Sequence, residues 1–167
     1  MRTASTGRPA LRLLTPLERE APAPLVSFCS HCGTRPAPNS ASAVSRVCAS
    51  CGLGLILESR ADVAPHAGGA FLVLDRSLAV CAVSRAAERL LATREPDAVN
   101  RHITDLLMPA DAEVKGGDSL SVSVAWAARG DGGIRTTVVR PANTFGIRLT
   151  ARIASCGPPR AALLVLG

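Results

Sequence analysis

Four of the six cysteines fall into two pairs, Cys29-Ser-His-Cys32 and Cys48-Ala-Ser-Cys51, with fifteen residues between them. This C-x2-C-x15-C-x2-C spacing reads as a four-thiolate zinc site. Two intervening residues let one tight turn aim both sulfurs at a single ion, and the second pair completes a tetrahedron with metal to sulfur distances of about 2.3 Å. Gly33 and Gly52 follow the pairs; a positive φ there lets the backbone curl and point N–H groups at the thiolates. An even cysteine count also permits two disulfides, and C-x-x-C pairs serve iron and redox chemistry as well. The N-terminus argues against export, because the run Ala10 to Leu14 is cut by Arg12 and followed by Pro16 and Glu18, which leaves no signal-peptide core. A cytoplasmic chain is therefore expected, where disulfides are rare. Four thiolates close the metal's shell, so the expected role of Cys29, Cys32, Cys48 and Cys51 is structural, and His31 between them is expected to be a solvated side chain.

Residues 25–60 resemble a zinc ribbon. Val47 precedes the second pair and Leu53, Leu55 and Leu57 alternate after it, so short strands flank a site whose small core needs the metal to fold. Residues 1–24, with Pro9, Pro16, Pro22 and Pro24 among scattered arginines, read as a disordered tail. Residues 61–69 read as a linker and 70–167 as the main domain.

In the main domain, apolar runs predict strands over 70–75, 78–83 and 161–166, the alternation of Phe145, Ile147, Leu149 and Ile153 with Gly146, Arg148, Thr150 and Arg152 predicts one over 145–154, and 134–140 is read as a further strand. The run from Ala161 to Leu166 is apolar without interruption. Ser84 is placed to cap a helix that carries Ala87, Leu90 and Leu91 on one face, and a second short helix is expected over 101–108. Residues 119–128 alternate like a strand, with Leu120, Val122, Val124 and Trp126 in step, yet Leu120, Val124 and Ala127 also fit a helix face. Pattern alone favours strand here.

Three segments, Phe71-Leu72-Val73-Leu74-Asp75, Ala82-Val83-Ser84-Arg85-Ala86-Ala87-Glu88-Arg89-Leu90-Leu91 and Arg101-His102-Ile103-Thr104-Asp105-Leu106-Leu107, together resemble the opening of a PAS domain. In that family two strands lead into an N-x-A-A-E-x-L-L-G helix and a later G-x-x-x-x-D-L-L segment. This chain departs from the pattern with Ser84 for Asn, Ala92 for Gly and Asn100 for Gly. The resemblance spans about residues 68–167, and with its ribbon the chain resembles a bacterial group that joins these two modules. It implies an α+β fold: a PAS-like five-stranded antiparallel sheet with helices on one face, preceded by a small zinc ribbon; since the five strands above fill such a sheet, the resemblance implies that 119–128 is helix. It also implies a pocket between sheet and helices for haem, flavin or an unknown small-molecule ligand, with His102 as the candidate haem ligand. The sheet face is then the expected surface for a protein partner or a homodimer. Flavin photochemistry needs a reactive N-C-R-F-L-Q-like segment that the chain lacks. Cys81 is expected to be a small core hydrophobe in a strand, and Cys156 a spectator thiol in a loop.

Charge and composition narrow the function. The net +6 is spread evenly, at +2 in residues 1–24 (four Arg, two Glu), +2 in 25–60 (three Arg, one Glu) and +2 in 61–167 (twelve basic, ten acidic). Four thiolates on a divalent ion bring the middle segment from +2 to 0. With 3 Phe, 1 Trp and no Tyr, base-stacking platforms are nearly excluded. Nucleic-acid binding through Arg2, Arg8, Arg12, Arg35 and Arg46 therefore stands as an alternative to a signalling or adaptor protein. No Ser/His/Asp grouping, Walker-type loop or strand-linked G-x-G-x-x-G is present, so no enzyme is expected. No apolar run approaches the ~20 residues of a spanning helix. No output module follows the last expected strand, so any signal is expected to leave through surfaces.

Overall fold

The computed structural model describes residues 23–36, 45–110 and 119–167. Most of the disordered tail expected over 1–24 lies outside these. Five strands, β3 (Ala70–Leu74), β4 (Val80–Val83), β6 (Arg135–Pro141), β7 (Leu149–Gly157) and β8 (Ala161–Leu166), pair antiparallel in the order β6-β7-β8-β3-β4. The helices α1 (Arg85–Leu91), α2 (Glu95–Ala98) and α3 (Leu120–Ala128) pack on one face of them. This is the α+β architecture that the PAS resemblance implies. The sheet is larger than five strands, however. β1 (Leu25–Cys29) and β2 (Ile56–Arg60) from the cysteine segment and the short β5 (Leu107–Pro109) extend it to eight.

The extension is made at β7. One edge of that strand pairs with β6 over Leu149 to Ile153 and then with β2 at Cys156 and Gly157, so the ribbon and the PAS-like domain share one sheet. The alternation of β7 shows the result. Ala151 and Ile153 enter the helix-side core, Ala154 and Cys156 point the other way into a second core, and Arg152, on that second face but beyond the ribbon, stays exposed. That second core joins Phe28, Leu57 and Val63 to Phe71, Val73, Ala154 and Leu163. The uninterrupted apolar runs of β3 and β8 follow from burial on both faces. Within the stretch 61–69 that reads as a linker, Val63 is 1% exposed and joins this core, while Asp62 and His66 to Gly68 stay exposed.

Local chemistry sets the helices. Ser84 Oγ accepts from Ala87 N at 3.2 Å, donates to Gly69 O at 3.0 Å and accepts from Phe71 N at 2.9 Å, so the cap of α1 also ties it to β3. α1 ends with Ala92 at φ 49°, where Ala92 N bonds Arg89 O and Thr93 N bonds Glu88 O, the paired bonds of a left-handed C-terminal cap. Asn100 has φ 67°. The two positions where the PAS pattern carries glycine thus both adopt the conformation glycine favours. α3 is helical because Ser119 caps Val122 N and burial falls on Leu120, Ser123, Val124, Ala127 and Ala128, a helical spacing.

Two expected elements differ. The helix expected over 101–108 is a 3-10 turn, Ile103–Asp105, followed by β5; Pro109 closes that strand against Val139. Residues 145–148 are not strand: Gly146 has φ 83° and Phe145 is 86% exposed, so β7 begins at Leu149.

Candidate metal centre

Each cysteine pair follows a short strand or bridge. β1 pairs with β2 from Leu25↔Arg60 to Cys29↔Ile56, and Val47 bridges Leu55. Both pairs then turn alike. Gly33 N bonds Cys29 O at 3.0 Å and Gly52 N bonds Cys48 O at 2.8 Å, with φ 72° and 69° at the two glycines. The four sulfurs all lie within 4.8 Å of one another, Cys29 to Cys51 at 3.6 Å and Cys32 to Cys48 at 3.9 Å. A tetrahedron with ~2.3 Å metal to sulfur bonds has edges of about 3.8 Å, whereas a disulfide requires about 2.05 Å. The donor set therefore fits a tetrahedral metal ion.

The cluster's electrostatics are asymmetric. Burial pushes the Cys29 thiol up to about 12, against the opposing N–H groups of Cys32 and His31. At Cys51 burial also acts upward, but the N–H groups of Gly54 and Leu53 and the neighbouring thiols outweigh it and bring the group down to about 6. A bound divalent cation would deprotonate all four. Gly54 lies against this cluster: a Cβ there would stand 2.4 Å from Cys29 Sγ and 2.8 Å from His31 N.

The first pair is also the point of docking. His31 O accepts from Arg85 N at the start of α1, Cys32 O accepts from Gly68 N, and Ser59 Oγ donates to Ser155 O at 2.9 Å. His31 is only 7% exposed, which corrects the expectation of a solvated side chain. The cause is long-range: its Nδ1 stands 3.4 Å from Glu95 Oε2 on α2. Beside it, between the ribbon and the outer face of the sheet, runs a groove of about 770 Å³ floored by Leu57, Val73, Ala82 and Ala161. No signal within either segment could have shown this groove, because it exists only where the two meet.

The remaining candidates are dispersed. His102 is exposed and caps the 3-10 turn, its Nδ1 2.7 Å from Thr104 Oγ1, and it does not line the groove. Cys81 and Cys156 exchange their expected places. A bulge between Val73 and Leu74 leaves Cys81 unpaired and exposed, while β7 runs on to Gly157 and buries Cys156, whose thiol burial pushes up to about 12. Arg46 donates to Pro158 O, and Arg2, Arg8 and Arg12 lie outside the described residues. No described helix is long and apolar enough to cross a membrane.

No protein-family model and no curated protein matches the chain. Among solved structures, the PAS domain of nitrogen regulation protein NR(II) from Vibrio parahaemolyticus is similar, with 18% sequence identity and a TM-score of 0.44 over 60% of this chain and 88% of that one.

Proposed function

We propose that the chain is a non-enzymatic cytoplasmic signalling or adaptor module, in which zinc held by Cys29, Cys32, Cys48 and Cys51 is structural. Its PAS-like sheet meets a protein partner or a second copy through the part of its outer face that the ribbon leaves open. The observation that carries this reading is the shared core: the elements that position the thiolates also bury Phe71, Val73 and Leu163 on the sheet. Four sulfur ligands saturate a tetrahedral ion and leave no position for substrate, so the metal's contribution is to folding. Zinc, once bound, supplies charge neutralisation and cross-linking; Gly33 and Gly52 shape the two turns, and the N–H groups of His31 and Cys32, 3.4 and 3.5 Å from Cys29 Sγ, disperse thiolate charge.

The test is metal analysis of the full chain, followed by light scattering with and without a chelator. One zinc per chain is expected, and its removal exposes the outer sheet face and drives self-association. A metal-free monomer that keeps its size and fold, or a chain that carries iron, removes the structural-zinc reading. For the partner, capture from the native host by wild type but not by Val138→Asp is expected, since half-buried Val138 pairs with Thr150 on the outer face that the ribbon leaves open; identical captures remove that half.

A further inference from the structure

We infer that the groove between the ribbon and the sheet is a binding site for a small amphipathic carboxylate. Its volume of about 770 Å³ falls within the roughly 300–1,000 Å³ of small-molecule sites, which combine an apolar lining with a few placed polar groups. The floor is aliphatic and small, with Val73, Ala82 and Ala161 from three strands, so it suits an apolar body.

The polar lining is unequally spent. Asp75 Oδ1 already accepts from Ser77 N and Ala79 N, and Glu95 Oε1 accepts from Val83 N at 3.0 Å. The Arg129 and Arg160 guanidinium groups line the groove without an ion-pair partner among the described residues; Arg129 lies 6.0 Å from the Trp126 ring and Arg160 reaches only the Arg129 carbonyl. Three arginines (Arg76, Arg129, Arg160) against two acids leave the lining at +1, which one monoanion neutralises. Guanidinium forks match carboxylate geometry.

A second, independent observation points the same way. His31 lines the groove and is more than nine-tenths buried; its Nδ1 faces Glu95 Oε2 at 3.4 Å, while its Nε2 is buried with no polar partner among the described residues. Leaving such a group unsatisfied is costly in a folded protein. A ligand's polar group in the groove supplies the missing partner.

The inference rests on the docking of the ribbon and not on the protein partner. The experiment is titration of the zinc-loaded, 15N-labelled full chain with decanoate below its micelle concentration, with 1-decanol and decyltrimethylammonium as controls. Saturable one-to-one binding is expected, with shifts concentrated at Val73, Ala82, Ala161 and the His31 ring, and binding at least tenfold weaker for both controls. Arg129→Gln with Arg160→Gln, both at the rim, is expected to weaken decanoate binding at least tenfold with an unchanged amide fingerprint elsewhere; Ala82→Leu is expected to abolish it by filling the floor. Absence of saturable binding, equal affinity for 1-decanol, full affinity in either variant, or shifts confined to the helix-side core around Leu72 and Val124 would overturn the inference. Decanoate binding without partner capture removes only the partner reading; capture without decanoate binding removes only this one.

Discussion

The Phe28 ring meets Phe71 edge-on, with centroids 5.8 Å apart and planes at 86°, and both residues are fully buried. Phe28 stands on β1 one residue before Cys29, the first cysteine of the cluster; Phe71 stands on β3 in the PAS-like sheet. The contact couples metal site and sheet, so Phe28→Ala is expected to destabilise the whole chain by about 3–5 kcal/mol through lost burial and the cavity left behind. The aromatic pair itself contributes about 0.5–1.5 kcal/mol, recoverable from a double-mutant cycle with Phe71→Ala. Urea unfolding should remain one transition that moves as a unit. Two separated transitions in the wild-type protein, with only one shifted in Phe28→Ala, would show that ribbon and sheet fold independently.

Ala92 presents the opposite case, a residue held where its Cβ is unwelcome. Its φ of 49° closes α1, and the left-handed region costs a non-glycine residue roughly 1–2 kcal/mol. Part of that is offset because glycine has more freedom to lose from the unfolded chain. Ala92→Gly is therefore expected to stabilise by up to about 1 kcal/mol, whereas Ala87→Gly, inside the same helix and buried, destabilises. Thermal midpoints of the two variants decide it; a lower midpoint for Ala92→Gly contradicts the cap geometry.

These residues also show what was legible from sequence. The grouping of the four cysteines follows from spacing alone, because a C-x-x-C turn is local. The strands β3, β4 and β8 are marked by apolar runs, and Ser84 marks the start of α1 as expected of a capping residue; Ser119, which caps α3, reads in the sequence only as a polar position of an alternating stretch. What local pattern does not carry is the identity of the cover. An uninterrupted run such as Ala161 to Leu166 says that both faces are buried without saying by what, and the answer, Phe28, Leu57 and Val63, lies a hundred residues away. His31 was misread for the same reason, since its burial depends on Glu95. Cys81 and Cys156 turn on one-residue events, a bulge and a strand that extends further than its periodicity indicates.

Gly54 is the residue whose space, not its conformation, the metal site requires. A methyl group there would fall 2.4 Å from Cys29 Sγ, so a ligand or the His31 backbone must move. Gly52 has φ 69° and nothing within 4 Å of its absent Cβ, so alanine meets strain but no obstruction. Gly54→Ala is expected to lower metal affinity about 10- to 100-fold, the scale of disturbed support around a ligand. Gly52→Ala is expected to cost about 1–2 kcal/mol of folding stability with a much smaller loss of affinity. Competition against a chromogenic chelator separates them, and equal losses would mean that the two glycines do the same job.

Asp75 ties the hairpin between β3 and β4, its Oδ1 accepting from Ser77 N at 2.8 Å, Ser77 Oγ at 2.7 Å and Ala79 N at 2.9 Å. Burial acts to raise its carboxyl, but these hydrogen bonds and the Arg76 charge outweigh it and hold the group below the ordinary 3.8. A carboxylate whose folded value is depressed contributes stability above the unfolded value, and that contribution disappears as pH falls through the folded one. Asp75→Asn keeps an acceptor oxygen but removes the titration. The stability gap between wild type and Asp75→Asn is therefore expected to hold steady from pH 7 to about 5 and to close as pH drops below 3.8. Protons strip the metal from both chains over the same acid range, so the difference between their urea midpoints isolates Asp75. A gap that stays open at the acid end would assign the effect of the substitution to packing in the turn instead of to charge.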